Sequence, residues 1–331
     1  MASIRLLRWD LLAVVPGALI GLAAVALVLA PQSGPLGLML IFEPHLFIGV
    51  LVILTPVAAV ARARRLGIVL LAVLIAGGGL FGSEWVSAPW SAASRHDIAV
   101  MTWNLQYGTR TPSETAAALE GVTADVVALQ ELEPDNASAI EADAAITARY
   151  PYRAMAPRPG AWGVAVLSRY PIRDVEKAYP PAVVEMIVDT PRGTVRVIDA
   201  HPNHAEIGTV TPLLLPMIYD PANRNAEISI IRGRIDAALA AGERLLVLGD
   251  YNTAPSEPEY RVLTAGLRDT HVEVGEGPGW TWRPSRIDFL PMGFLRIDLQ
   301  LTAGRILPAS TAIDCSVSGD HCRLLGDYEI D

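Results

Sequence analysis

Lysine is almost absent from this chain. Lys177 is its one example, and charged residues of every kind make up only 18% of the 331 positions. The balance is acidic, with 26 basic against 35 acidic side chains and a formal charge of −9. A chain so short of cations lacks the basic face that grips a polyanion, which weighs against tight nucleic-acid binding without excluding it. Cysteine is scarce too: Cys315 and Cys322 are the only two. Zinc wants closely spaced His and Cys ligands, and here His201 and His204 offer two imidazoles with no third partner at suitable spacing. No internal repeat or low-complexity tract stands out beyond the apolar runs near the N-terminus.

Those runs are what the chain has in excess. Residues 11–30 carry no charge and have the length needed to cross a bilayer. Leu46–Ala61 is a second run, extendable back through Leu36–Phe42 across Glu43-Pro44-His45, and Leu66–Gly82 is a third. A cleaved signal peptide would explain one such run and not three, so three membrane helices are expected. Arg5 and Arg8 precede the first, Arg62, Arg64 and Arg65 separate the second and third, and the loop around Pro31–Pro35 has no basic residue. The positive-inside rule then puts the N-terminus in the cytoplasm and everything after Gly82 outside. The expected layout is a membrane anchor over 1–82, a juxtamembrane linker over 83–95 with Trp85 and Trp90 near the interface, and a catalytic domain over 96–331. The first 82 residues hold five of the basic and two of the acidic side chains, so the remainder carries 21 against 33, a formal −12. Both cysteines fall in this exterior part, where a disulfide persists; their spacing suits a short bridge closing a hairpin or two separate thiols.

Past the linker, short apolar runs alternate with helical patterns. Ile98–Leu105, Val126–Leu129, Gly163–Ser168, Val183–Val188, Val195–Ala200, Leu245–Gly249, Leu299–Thr302 and Leu324–Ile330 read as strands. Thr111-Pro112-Ser113-Glu114 opens a helix with a capping box. A helical stretch follows around Ala137–Ala148, and Asn223–Ala241 is a long amphipathic helix. The mixture over roughly 235 residues points to one α/β domain whose sheets are covered by helices. Ala205–Asp220 is apolar and broken by proline, and reads as a lid, a lipid-touching patch or a plain buried loop.

The strand ends carry the chemistry. Asn104, Gln130 and Glu131, His201 and His204, and Asp250 with Asn252 each close an apolar run, while Asp298, Asp320 and His321 stand just before one. Ligand sites of open α/β sheets gather at strand ends, so these side chains are expected to meet on one rim. A set rich in oxygen suits a hard divalent cation, Mg²⁺ or Mn²⁺. Asp125, Asp199 and Asp269 read as turn or cap residues. Trp280 and Trp282 in "GPGWTWRPSR" are candidates for an aromatic substrate wall, with Arg283 and Arg286 as phosphate contacts or as parts of a structural loop.

The ordered series "TWNLQ", "LQELEP", "GVAVLSRYPI", "DAHPNH", "LGDYNTAP", "RIDLQLT" and "SGDHC" resembles the endonuclease/exonuclease/phosphatase superfamily over about residues 96–331. The three-span anchor makes it similar to the membrane-bound bacterial branch, which includes actinomycete teicoplanin-resistance proteins. The resemblance implies a four-layer α/β/β/α sandwich (DNase-I-like) and metal-dependent cleavage of phosphate esters. It also implies metal binding by Glu131, with Asn104 and Asp320 alongside. Asp250 and Asn252 would orient the attacking water, His201 would bind the phosphate or help the leaving group, and His321 would be supported by Asp298. Gly319 stands where the family has serine, and Leu299 where it has an aromatic. The expected function is a membrane-anchored phosphohydrolase, its partners a phosphoester substrate of the cell envelope, lipid-linked for choice, and the membrane itself; no protein partner is predicted. An extracellular nuclease is the alternative, and a non-catalytic envelope or antibiotic-resistance binding protein the second.

Overall fold

Short apolar runs build strands from Ile98 onward in this computed structural model, which describes residues 33–86, 92–210 and 215–331 together with Gly21. In chain order the strands are β1 (Ile98–Asn104), β2 (Val126–Gln130), β3 (Tyr152–Ala156), β4 (Val164–Ser168), β5 (Ile172–Ala178), β6 (Ala182–Thr190) and β7 (Gly193–His201). They continue with β8 (Glu206–Val210), β9 (Leu215–Asp220), β10 (Leu245–Asp250), β11 (Arg268–Asp269), β12 (Asp298–Ala303), β13 (Ile306–Asp314) and β14 (Arg323–Ile330). One sheet runs β13-β14-β1-β2-β4-β3 and the other β11-β12-β10-β7-β6-β5. The β1–β2 and β7–β10 pairs are parallel. The other pairings in these sheets are antiparallel, and one register sets Asp250 opposite Asp298.

Each inner strand is buried on both faces. Val100, Val126, Val166, Met186, Val197 and Leu248 fill the space between the sheets. Met101, Trp103 and Leu129 point the other way, onto Leu119, Ile140 and Ile146 of helices Pro112–Glu120, Pro134–Ala142 and Ala144–Arg149. Ile198, Val247 and Leu301 meet Ile228, Ile231 and Ile235 of helix Ala222–Ala240. Helices therefore cover both outer faces, giving the four-layer α/β/β/α order expected.

Local rules explain the helix boundaries. Thr111 and Glu114 form the reciprocal capping box that ties down two orphan N–H groups. The single helix expected around Ala137–Ala148 is two, because Asp143 adopts an extended backbone and its carboxylate accepts from Ala145 N and Ile146 N. That geometry caps a new helix and ends the old one.

The described residues fall into two compact units. The sandwich is Trp85–Ala205, Ala222–Pro255 and Glu259–Asp331. The other takes the chain up to Glu84 together with Glu206–Pro221 and Ser256–Pro258. It contains helices Gly34–Ile41, Glu43–Ala61 and Arg64–Trp85, the β8–β9 hairpin and its own contacts. Strand β9 lies against Gly34–Ile41, Ser256 Oγ donates to Leu40 O across 2.6 Å, and the Tyr219 hydroxyl donates to the Glu257 carboxylate. The interruption expected at Glu43-Pro44-His45 falls at Phe42 instead: a short helix stops at Ile41, and Glu43-Pro44-His45 form the first turn of the next. Among the described residues two helices, over Glu43–Val60 and Arg64–Gly82, are long and apolar enough to cross a membrane. The first expected span, 11–30, lies outside the described residues except for Gly21, and so does Trp90 of the linker.

Candidate active site

Along the central strands the inward face runs apolar and finishes polar. In β1 it reads Ile98, Val100, Thr102, Asn104; in β2 Val126, Ala128, Gln130; in β7 Val195, Val197, Asp199, His201; in β10 Leu246, Leu248, Asp250. A period of two puts each set on one face, so the end of the core between the sheets becomes a cluster of carboxylates, amides and imidazoles.

Asp250 is its centre. Its carboxylate accepts from Asn104 Nδ2 at 2.9 Å and from Asn252 N at 2.9 Å. His201 Nε2 stands 3.5 Å away and His321 Nε2 3.6 Å. Burial alone would push this carboxyl up, but the charges of His321 and His201 override it and hold Asp250 at about 2. Burial would likewise depress both imidazoles. Hydrogen bonding and charge from Asp250, with Glu131 adding, bring His201 to about 9. Asp298 and Asp250 bring His321 to about 10. His201 Nδ1–H donates to Ala161 O at 2.9 Å, and His321 Nδ1–H to Asp298 Oδ2 at 2.9 Å. Each ring therefore turns Nε2 toward Asp250.

The backbone is bent to make this possible. Gln106, Glu131 and Asn252 all have positive φ, near 54°, 56° and 50°, a strained conformation that persists at functional sites because the surroundings enforce it. At Gly249 (φ 138°) a Cβ would lie 2.0 Å from the Ala200 carbonyl oxygen, so only glycine lets β10 deliver Asp250 beside β7.

Glu131 and Asp320 supply the remaining acid. Glu131 accepts from Asn104 Nδ2 at 3.0 Å and from Tyr107 N at 2.9 Å. Asp320 Oδ1 is buried with no hydrogen-bond partner among the described residues. Burial, reinforced by Glu131 and Asp250, raises the Asp320 carboxyl to about 6. A buried acid oxygen without a donor, beside two more carboxylates, is a donor set that fits a hard divalent cation; Glu131 and Asp320 would hold it. Asp250, Asp298 and His321 also approach one another, with ligand atoms all within 4.8 Å. There Asp298 Oδ2 and His321 Nδ1 are engaged with each other, and His321 Nε2 faces Asp250. We read that trio as a charge relay.

Three expectations change. Asn104, expected among the metal-holding residues, is a brace: its NH₂ serves Glu131 and Asp250, and its carbonyl accepts from Gln106 N at 2.8 Å. Arg283 is not a phosphate contact. It is 0% exposed, and its guanidinium donates to the carbonyls of Gly319, Leu290, Cys315 and Val317. Asp199 is neither turn nor cap but lies buried in mid-β7, accepting from Gln130 Nε2 at 2.7 Å. Trp282 is half-buried, and its backbone bridges to His321 and Leu295; Arg286 is exposed on the turn Ser285–Ile287. Trp280 packs edge-on against Trp85. His204 is exposed and bonded to Ala205 O. Asp125 accepts from Ala99 N, and Asp269 caps Thr270–Val274.

Gln106 was the functional residue not singled out by sequence reasoning. Its Oε1 accepts from Asp320 N at 3.0 Å while its Nε2 donates to Ser285 Oγ at 2.9 Å. It thus ties the Asp320 loop to the turn that carries Arg286. Its place two residues after Asn104 was the available signal. Cys315 and Cys322 form a disulfide that brackets Asp320 and His321. Gly319, where the family has serine, holds φ 113°, a conformation side chains rarely adopt, and a Cβ there would also lie 2.6 Å from Arg110 Nη2.

The sequence profile of the Endonuclease/Exonuclease/phosphatase family matches residues 101–321. No curated protein matches the chain. Among solved structures it is similar to a 3′ phosphatase from Neisseria bound to a product DNA hairpin, with a TM-score of 0.53 and 19% identity over 71% of this chain and 99% of that one. It is also similar to an endonuclease/exonuclease/phosphatase from Beutenbergia cavernae (TM-score 0.51, 20% identity, 71% and 72% of the two chains). An AP endonuclease from Archaeoglobus fulgidus gives a TM-score of 0.52 at 15% identity over 70% and 100%. At these identities the likeness is one of fold.

Proposed function

Since the chain belongs to the endonuclease/exonuclease/phosphatase family, we propose that it is a divalent-metal-dependent phosphohydrolase, anchored in the cell membrane, that cleaves an extracytoplasmic phosphoester joined to a lipid of the envelope. The observation that carries the catalytic reading is the meeting of Glu131, Asp250, His201, His321 and the unpartnered Asp320 oxygen at one end of the core between the sheets.

The chemistry follows from those contacts. Asp250, ionised and fixed by Asn104 and by Asn252 N, is an acceptor that orients an attacking water. His201 and His321 remain protonated at neutral pH and offer Nε2–H donors to phosphoryl oxygens. Such donors, set in place before reaction, stabilise charge that grows in the transition state. Asp298 keeps His321 in the right tautomer and orientation, the role of the acid in other dyads. A Mg²⁺ or Mn²⁺ ion, when bound, supplies positive charge for the same oxygens and favours ionisation of water.

Membrane placement and lipid substrate draw support from three features. Two helices have the length and apolarity of spans, and Val52, Ile53, Val60 and Ile68 on them are exposed. The chain enters the helical unit at Glu206, five residues after His201, and again at Ser256, four after Asn252. Phe289 and Met292 are 76% and 46% exposed on the segment that begins at Ser285, the partner of Gln106; apolar side chains held out beside a site suit a lipid tail.

The test is phosphate or headgroup release from long-chain lipid phosphates and pyrophosphates by the full chain in detergent with Mg²⁺, Glu131→Ala alongside. Loss of turnover in the variant is expected; equal rates would overturn the metal assignment. Nuclease activity is the second reading, favoured by fold neighbours that process DNA, and digestion of plasmid at low salt measures it directly.

A further inference from the structure

The space between the sheets is mainly apolar, and besides the site polar side chains bridge it at two places. Gln300 of β12 bonds Leu324 O and the Tyr328 hydroxyl of β14, and the other bridge is made by Thr102, Gln130 and Asp199. Thr102 on β1 and Gln130 on β2 belong to one sheet, Asp199 on β7 to the other, and all three side chains are fully buried. Gln130 Nε2 donates to Asp199 Oδ1 at 2.7 Å and to Thr102 Oγ1 at 3.1 Å. The second oxygen of Asp199 has no partner among the described residues. Burying an amide and a carboxyl inside an apolar core is costly for stability, and apolar residues of the same shape would serve the core at least as well.

What sets this second bridge apart is its position. Thr102 stands two residues before Asn104, Gln130 one before Glu131, and Asp199 two before His201. Thr102 and Asp199 thus lie one same-face step deeper than the site residue that ends their strand, and Gln130 closes β2 immediately before Glu131. We propose that Thr102, Gln130 and Asp199 are positioning residues, a polar bolt between the sheets that fixes the spacing of Glu131 and Asn104 on one sheet from His201 on the other. Apolar contacts slide with little directional preference, whereas a bond such as Gln130–Asp199 weakens steeply once its angle is lost. The bolt therefore holds the Glu131–His201 approach, 3.9 Å, against shear of one sheet over the other. The inference rests on the reading of the site given above.

The experiment compares wild type, Asp199→Leu, the pair Gln130→Met with Asp199→Leu, and Asp199→Asn in the full chain. Three quantities are read: the thermal midpoint, Mn²⁺ affinity by calorimetry, and kcat on a water-soluble aryl phosphodiester. Asp199→Leu strands the Gln130 amide and lowers all three. The double variant restores the midpoint to within a few degrees of wild type. It is expected to keep kcat roughly 10–100-fold down and Mn²⁺ binding about tenfold weaker. Asp199→Asn keeps an acceptor for Gln130 and stays within about threefold of wild type in both. A double variant that regains kcat and Mn²⁺ affinity along with its midpoint would show the bridge to be structural only and overturn the proposal. Should the double variant fail to fold, Asp199→Asn decides, since a loss beyond tenfold in a folded protein with a normal midpoint also overturns it. A wild-type chain that binds no Mn²⁺ overturns the reading of the site and the bolt with it.

Discussion

His321 donates from Nδ1 to Asp298 across 2.9 Å, and the same ring presents Nε2 to Asp250 at 3.6 Å. One imidazole is thus held between two buried carboxylates, and its proton is retained to about pH 10.

Removing Asp298's charge moves that proton. In Asp298→Asn the imidazolium loses its first stabilising partner, so His321 deprotonates at lower pH and the alkaline limb of kcat/KM shifts downward by at least one pH unit. His321→Ala loses roughly 10²–10⁴-fold in rate at neutral pH. The stability linkage has a definite sign. His321 and His201 have folded values raised above their ordinary 6.5. Their contribution is complete below that pH and lost as pH climbs through about 9 to 10. The thermal midpoint of chelator-treated protein, followed from pH 7 to 10.5, should fall across that window; a flat profile contradicts the relay.

Metal binding should be visible without turnover. Mg²⁺ at a hundred times its dissociation constant stabilises a folded protein by about 2.7 kcal/mol, a rise of a few degrees in midpoint. Glu131→Ala and Asp320→Asn should lose most of that rise, whereas His204→Ala should keep it. Chelator should abolish hydrolysis reversibly.

The Cys315–Cys322 bridge closes a short loop around Asp320 and His321. Chain entropy assigns such a loop about 2–3 kcal/mol. Replacing both cysteines with serine should therefore leave a folded protein with a lowered midpoint. A drop in kcat of tenfold or more is expected too, because the loop that carries His321 loses its clamp. Unchanged kcat in the serine pair would mean the Thr281 and Arg283 contacts suffice.

Restoring the family's serine should do harm. In Gly319→Ser the new Cβ meets Arg110, at a φ of 113° that side chains rarely adopt. The expected cost is about 1–3 kcal/mol, read in chemical denaturation, with reduced activity. Arg110→Ala in the same background should recover only the part due to the clash.

On the proposed lipid-linked substrate, the exposed Phe289 should meet the lipid portion. Phe289→Asp should leave hydrolysis of a water-soluble phosphodiester within about twofold and reduce turnover of a vesicle-embedded lipid phosphate by tenfold or more. Equal loss on both substrates would point to a damaged site instead.

Much of this architecture was legible from residues alone, and the misses share a cause. The inner strands were found because both their faces are buried and their apolar runs are unbroken. Strands β3, β5, β11 and β13 were missed, and each lies at a sheet edge, where β5 leaves Arg173 to Lys177 exposed. The β8–β9 hairpin, a separate two-stranded sheet, was read as a lid, a lipid-touching patch or a buried loop. The same contrast holds at the site. Glu131, Asp250 and His321 announced themselves by ending or preceding strands, and the structure gathers them. Arg283 was misread because an arginine near a site suggests phosphate, although its five donors serve loop carbonyls equally well. Asp199 was misread because aspartate favours turns, yet its spacing of two from His201 already put both on the same face.

The interleaving of the two units has a practical consequence for anyone who would divide the chain. A fragment begun at residue 92 keeps Tyr219 and Ser256 but discards Leu40 and the short helix on which β9 rests. Such a fragment is an incomplete protein, because the helical unit draws on Glu206–Pro221 and Ser256–Pro258 as well as on the chain before Glu84.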